Sequence, residues 1–327
     1  MPPEFSHGPT RRSLLAAGGG LGVAAALGFS ATPAGADVPS SPRFDLSTPS
    51  HDLFRHKALQ DDTVMQSFTF DNVNKRLFVA QLKNGGSSNA NGDLCVTQLD
   101  FAGNRQGHMY LMGFGHGVSI GVEPSGSSSY LWTEVDSVDT RGTRLARFRF
   151  SNGTTLTNTS SALAKHTPVP GSDLITCATD PVNDTLVMRY RNSSGIRYAV
   201  YRISDVRNGN YGAKLADIAQ PPRFSGSGAP TFQGYAVYGR YLYLYDGTAY
   251  GDANPPPGNA HITSVDLNTG AEMERRFTRA GESLVFREPE GMGVYRTDAG
   301  QVRLFLGLAS GESGDRRANL FYKNVFV

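Results

Sequence analysis

The sequence predicts an all-β fold, a five-bladed β-propeller forming a single domain after an N-terminal signal peptide, on three observations. The first is an internal repeat. Five segments begin at Gln66, His116, Ile175, Gln233 and Glu290, spaced by 50, 59, 58 and 57 residues, and each runs through a short apolar strand, a turn and a second aromatic or aliphatic strand. The second is composition: 38 glycines, 18 phenylalanines and 14 tyrosines with only 18% charged residues suit short strands and tight turns rather than disorder or long helices. The third is turn chemistry, with Asp71-Asn72-Val73-Asn74, Glu123-Pro124-Ser125-Gly126 and Asp180-Pro181-Val182-Asn183 at the same place in three repeats. One short sheet cannot bury both of its faces, so a repeat of this period calls for neighbours that close a ring. A two-sheet sandwich is the competing arrangement.

Taken in order along the chain, residues 1–36 read as a twin-arginine signal peptide. Arg11-Arg12 precede an apolar Gly/Ala-rich stretch from Leu14 to Phe29, and Ala34-Gly35-Ala36 offers a small-residue cleavage site. Residues 37–56 are Pro- and Ser-rich and are expected to be a loosely docked arm, with 57–327 forming the propeller; the run Leu53 to Leu59 is a candidate for the outer strand that closes the ring. Further strand-like runs follow each pair: Leu94 to Leu99, Leu145 to Phe150, Tyr198 to Ile203, Ile262 to Leu267 and Asn319 to Tyr322. Cys95 and Cys177 fall inside strand patterns of different repeats and read as buried thiols rather than a disulfide.

The residue that opens each repeat is expected to face the central channel. Four of the five openers are polar, Gln66, His116, Gln233 and Glu290, and each is followed by glycine or serine, which permits close backbone approach at a crowded axis. Divergent openers on a repeated frame describe one asymmetric site rather than several equivalent ones. His116 and Glu290 are the candidate catalytic pair, one as base and one as acid, with Gln66 and Gln233 holding substrate hydroxyls. The competing use of these side chains is to bond one another and trapped water along the axis. Trp132, the single tryptophan, is a candidate platform for a sugar ring or else a core residue. Arg189 is a candidate for a ligand carboxylate or phosphate, or else for a salt bridge to Glu134 or Asp136, which themselves alternate with Val135 as candidate paired carboxylates. No cofactor is implied. A divalent metal on His116, Glu290 and the two glutamine oxygens is an alternative weakened by the two Gln ligands.

Without residues 1–36 the chain holds 29 basic and 28 acidic residues, a balance that argues against a nucleic-acid partner. The chain has no Walker loop, G-x-S-x-G elbow, H-E-x-x-H or EF-hand pattern. The runs QSFTFDNVNKRLFVAQ from Gln66, GDLCVTQLDFAGNRQGHMYLMGFGHGVSIGVEP from Gly92 and PEGMGVYR from Pro289 resemble the exported actinobacterial family labelled teichoic acid biosynthesis protein C or phage baseplate protein, itself related in pattern to helveticin J type bacteriocins. That resemblance covers residues 50–327 and implies contact with cell-envelope glycopolymers, without a catalytic residue to carry over. Two expectations follow. The first is a monomeric, exported, carbohydrate-active enzyme, a lyase or glycosidase, acting on an anionic or cell-envelope glycan at the channel mouth, secreted or wall-associated and free of the membrane after signal cleavage. The second is a non-catalytic propeller that binds a wall glycopolymer, as a receptor-binding or bacteriocin-like module does.

Overall fold

The computed structural model describes residues 37–327 apart from Gly86, so the signal-peptide segment 1–36 lies outside the described residues. Among the described residues twenty-one strands make five sheets around an axis, antiparallel throughout except for one parallel pair in the first. The first strand, β1 (His51–Ala58), is set aside by the chain until the end. Blade one is β2 (Met65–Asp71), β3 (Arg76–Leu82), β4 (Leu94–Leu99) and β5 (Arg105–Met112), with the short helix α1 (Ser88–Asn91) between its second and third strands. Blade two is β6 (Gly121–Ser125), β7 (Ser128–Val138), β8 (Arg141–Arg149) and β10 (Ala164–His166); between the last two, β9 (Thr155–Thr157) crosses back and pairs parallel with β5, giving blade one a fifth strand. Blade three is β11 (Asp173–Asp180), β12 (Thr185–Asn192), β13 (Gly195–Arg202) and β14 (Lys214–Ala219). Blade four is β15 (Thr231–Tyr238), β16 (Tyr241–Gly247), β17 (His261–Asp266) and β18 (Glu272–Phe277). Blade five is β19 (Glu288–Arg296), β20 (Val302–Ser310) and β21 (Arg317–Lys323), and β1 returns as its outer strand, antiparallel to β21.

Closure by β1 joins the strand that precedes blade one to the last blade in one sheet, so the ring is fastened by backbone hydrogen bonds and each blade has at least four strands. The strand begins at His51, ahead of the expected arm boundary at 56/57. The arm itself is tightly docked, contrary to expectation, because its few apolar residues find pockets. Val38, Phe44 and Leu46 are buried, Phe44 N–H donates to the Tyr243 hydroxyl at 3.0 Å, and Phe44 forms a bridge with Phe326 near the C-terminus.

Buried side chains sort into five clusters, one at each interface between adjacent blades, and this excludes the sandwich, which has a single core. Strand parity explains the sorting. On β16, Leu242 and Leu244 face blade three while Tyr243 and Tyr245 face blade five; on β3, Leu77 and Val79 face blade five while Phe78 and Ala80 face blade two. Each sheet is therefore apolar on both faces, which is why its second strand reads as a nearly unbroken apolar run. Cys95 and Cys177 are both free thiols, buried in blades one and three.

The hairpin turns also lock blades together. Asp71 Oδ1 accepts the N–H groups of Val73 and Asn74, and Asp180 Oδ1 does the same for Val182 and Asn183. The second oxygen of each reaches the next blade, Asp71 taking the Ser129 hydroxyl at 2.5 Å and Asp180 the Gly239 N–H at 2.6 Å. A buried aspartate with all these donors shapes its turn and fixes the neighbour's position.

Candidate functional site at the axis

The innermost strands β2, β11, β15 and β19 share a defect in pairing at the opener. On β2 the register passes from Met65↔Gln81 to Ser67↔Ala80, leaving Gln66 as an extra residue, and on β15 it passes from Phe232↔Asp246 to Gly234↔Tyr245, leaving Gln233. On β19 the break lies between Pro289 and Met292, around Glu290 and Gly291, and on β11 between Asp173 and Thr176. A bulge of this kind releases one side chain from the sheet's alternation and re-aims it. In blade two the same place is taken by an irregular segment, and His116 lies in it ahead of β6.

The residue after each opener explains how five strands fit around one axis. A Cβ on Gly234 would lie 2.9 Å from Gly291 Cα, and one on Gly291 would lie 2.6 Å from Ser67 Cα. Ser67 in turn donates its hydroxyl to Gly117 O at 2.6 Å. Blades four, five and one thus touch main chain to main chain, blade one reaches blade two through the Ser67 hydroxyl, and Gly234 and Gly291 also adopt positive φ, +136° and +70°, which glycine tolerates best.

Above this crowded ring the structure brings Gln66, His116, Gln233 and Glu290 together on the wall of one cavity of about 750 Å³. Asn84, Thr231 and Thr248 add neutral hydrogen-bonding groups, and Asp62, Glu288 and Arg316 supply formal charge. Gln233 Nε2 donates to Gly247 O at 3.2 Å, which leaves its Oε1 for a ligand. Glu290 is buried, with no cation or hydrogen bond among the described residues to offset desolvation, and the nearby Glu288 adds repulsion, so its pKa is pushed well above the ordinary value and the uncharged acid is favoured. Burial, with Arg141 adding to it, pulls His116 down to about 4, so its ring is neutral at physiological pH. His116 Nδ1 lies 3.1 Å from Asn89 Oδ1 of α1; donation there leaves Nε2 as an acceptor. The four openers thus offer a carboxyl whose neutral form burial favours, an uncharged imidazole and two amides, a set that binds hydroxyl groups. Among the described residues no three His, Cys, Asp or Glu side chains stand close enough to hold a metal ion.

Two sequence candidates lie elsewhere. Trp132 is fully buried between blades two and three, where Nε1 donates to Glu123 Oε2 at 3.2 Å and the indole packs on His166, so it has no open face for a sugar ring. Arg189 does not line the cavity and does not pair with Glu134 or Asp136. Its Nε donates to Gln220 Oε1 at 3.1 Å and its guanidinium lies over the Phe232 ring at 4.2 Å. The proposed carboxylate pair is also absent: Glu134 is buried and accepts three backbone N–H groups, whereas Asp136, at φ +60°, turns to Lys165 at 2.6 Å and Arg144 at 3.6 Å. Sequence reasoning missed Glu288 and Asn84; the E-P-E run at 288–290 was the available signal for the first.

Three comparisons bear on this architecture. A family model described as the phage 5-bladed beta propeller receptor binding platform domain matches residues 64–322. A Bacillus subtilis (strain 168) protein with the provisional name major teichoic acid biosynthesis protein C is 25% identical; the match covers 85% of this chain and 63% of that protein, so this chain spans less than two thirds of its length. The tail fiber of Staphylococcus aureus phage P68 superposes with a TM-score of 0.68 at 20% identity, over 86% of this chain and 54% of the fiber chain, a likeness of fold.

Proposed function

The chain belongs to the phage five-bladed β-propeller receptor-binding platform family, and from that membership we propose that it is a binding module for a cell-wall glycopolymer, with the axial cavity taking a sugar or polyol unit. The observation that carries the reading is the cavity's lining. Gln66, Gln233, Asn84, neutral His116 and uncharged Glu290 offer both donors and acceptors to hydroxyl groups without demanding a charged ligand. The teichoic acid in the relative's name supports the same class of ligand, and a protein that binds a wall polymer works outside the cytoplasmic membrane. No helix among the described residues is long and apolar enough to cross a membrane. Export by the twin-arginine segment is part of the proposal, tested by replacing Arg11 and Arg12 with lysine and following the exported protein.

The test of binding is titration of the full chain with purified wall polymers and neutral glycans. Binding that falls about tenfold in Gln233→Ala, with melting unchanged, supports the reading, the size being that of one hydrogen bond to a ligand. A wild-type protein that binds none of them overturns it.

A catalytic reading, lyase or glycosidase, is favoured by one observation: Glu290 is held as an uncharged acid beside a second carboxyl, Glu288, the arrangement from which a general acid works. Product analysis after incubation with the same polymers decides it. Products that vanish in Glu290→Gln establish catalysis, and intact polymer from the wild type removes it.

A further inference from the structure

The axial cavity is rich in acceptors. Gln233 uses its Nε2 on Gly247 O, which leaves the amide oxygen free, and His116, with Nδ1 at Asn89 Oδ1, keeps Nε2 as an acceptor. Glu288 and Glu290, on either side of Pro289 in β19, add two carboxyls to the same wall. Among the described residues neither carboxyl accepts a hydrogen bond or stands within ion-pair distance of a cation. Glu290 is only 4% exposed, so its carboxyl is withdrawn from water into the cavity wall with no partner to complete it.

Positive charge on this wall is engaged elsewhere. Arg316, the only lysine or arginine lining the cavity, donates to Gly311 O and lies over the Phe286 ring at 3.4 Å; its charge acts on Glu288 from a distance, and Asp62 adds a third acid. Near Glu290 stand Glu288 from its own strand and Tyr245 from β16, and His116 lines the same cavity from blade two. None of these three brings a cation, since burial keeps the Tyr245 hydroxyl protonated and the His116 ring neutral. A buried carboxyl in such surroundings is completed by a proton or by a cation from outside.

An ammonium group carries three N–H donors, no acceptor and one positive charge, the complement of a wall made of two carboxyls, an amide oxygen and an imidazole nitrogen. We propose that the axial cavity is an ammonium site, in which Glu288 and Glu290 hold a primary amine carried by the sugar or polyol unit and Gln233 Oε1 accepts one of its N–H groups. The inference rests on the reading that this cavity takes a unit of the wall polymer, and it names the group on that unit which the cavity selects. The ligand enters as the ammonium and keeps its protons, while Glu290 gives its proton to the solvent and becomes the carboxylate that pairs with it. Affinity for an amine therefore rises with pH as long as the amine stays charged, below about 7.7. A unit bearing only hydroxyls shows no such rise.

The experiment is calorimetric titration of the full chain with a glucosamine oligomer, its N-acetylated counterpart, a glucose oligomer, calcium chloride and purified wall polymers, at about pH 5 and about pH 6, in two buffers of different ionisation heat. Glu290→Gln and Glu288→Gln are carried in parallel. The glucosamine oligomer is expected to bind about tenfold tighter than the other two sugars, to tighten as pH rises and to release protons to the buffer. Each glutamine variant is expected to remove most of that preference, and Glu290→Gln also the rise with pH, while binding of the N-acetylated oligomer changes little. Glu288 is half-buried, so its variant serves if Glu290→Gln fails to fold. Equal affinity for the three sugars, an amine preference that survives both variants, or calcium bound tighter than the glucosamine oligomer overturns the ammonium site; wall polymers that bind in the same series leave the wall-polymer reading standing. No binding of any ligand by the wild type overturns both.

Discussion

Glu134 holds His116 by its main chain: Oε1 accepts the His116 N–H at 3.1 Å and the Gly117 N–H at 2.8 Å, while Oε2 accepts the Gly142 N–H at 2.5 Å. A buried carboxyl from the second strand of blade two thereby positions the histidine that reaches the axis. Replacing Glu134 with alanine strands three donors in the interior. The expected cost is about 3 kcal/mol or more, at roughly 1–3 kcal/mol for each unsatisfied group, read by chemical denaturation. A loss below about 1 kcal/mol means that water or another acceptor already serves these groups.

Backbone contact at the axis separates two glycines of similar conformation. Gly126 sits in a hairpin turn at φ +56° with nothing near a would-be Cβ, so Gly126→Ala is expected to cost about 1 kcal/mol from the left-handed conformation alone. Gly291 at φ +70° would place its Cβ 2.6 Å from Ser67 Cα, so Gly291→Ala adds an overlap that only backbone movement relieves. A cost of about 3–5 kcal/mol is expected. Equal losses in the two variants contradict the close packing of blades five and one.

Glu290 gives a pH signature. Its folded-state pKa is raised well above 4.5 by burial and by Glu288, so above pH 4.5 the folded chain binds more protons than the unfolded chain and stability declines as pH rises. Glutamine cannot ionise. The Glu290→Gln protein is therefore expected to gain on the wild type steadily from pH 4.5 upward, and a melting-temperature difference that does not vary with pH refutes the assignment.

The histidines act on the acid side with the opposite slope. Burial lowers His116 to about 4 and holds His166 and His261 below the ordinary 6.5. In this window the unfolded chain binds the extra protons, so stability is present above pH 6.5 and is lost as pH falls toward 4. His116→Gln is expected to flatten that loss in denaturation midpoints measured across the range, and an identical profile argues against a neutral, half-buried ring.

Trp132 is the only tryptophan in the chain and lies fully buried away from the cavity. Its fluorescence is expected to be blue-shifted, as in an apolar interior, and unchanged when a saturating polymer is added. A shift on binding returns the indole to the ligand site.

The sequence by itself determined the repeat, its five starts, the Asp71 and Asp180 turns and four of the five openers at the axis, the fifth, Ile175, being buried between blades two and three; these depend on local rules: alternation of apolar residues, turn chemistry and a small residue after each polar opener. Even the closing role of the segment around Leu53 to Leu59 is visible in this way. Only the tertiary structure decided the rest. Whether Trp132 faces a ligand or a neighbouring blade depends on which face of β7 meets blade three, and that is a matter of ring geometry rather than of spacing. The arm at 37–56 reads as loose from its Pro and Ser content, yet Val38 buries against blades three and four and Phe44 and Leu46 against blades four and five, on surfaces assembled far away in sequence. Glu134 accepts backbone N–H groups rather than pairing with Arg189, and Arg189 turns to Gln220 and Phe232 instead, because which side chain meets which partner is set by how strands and blades stack, and no periodicity in the chain records it.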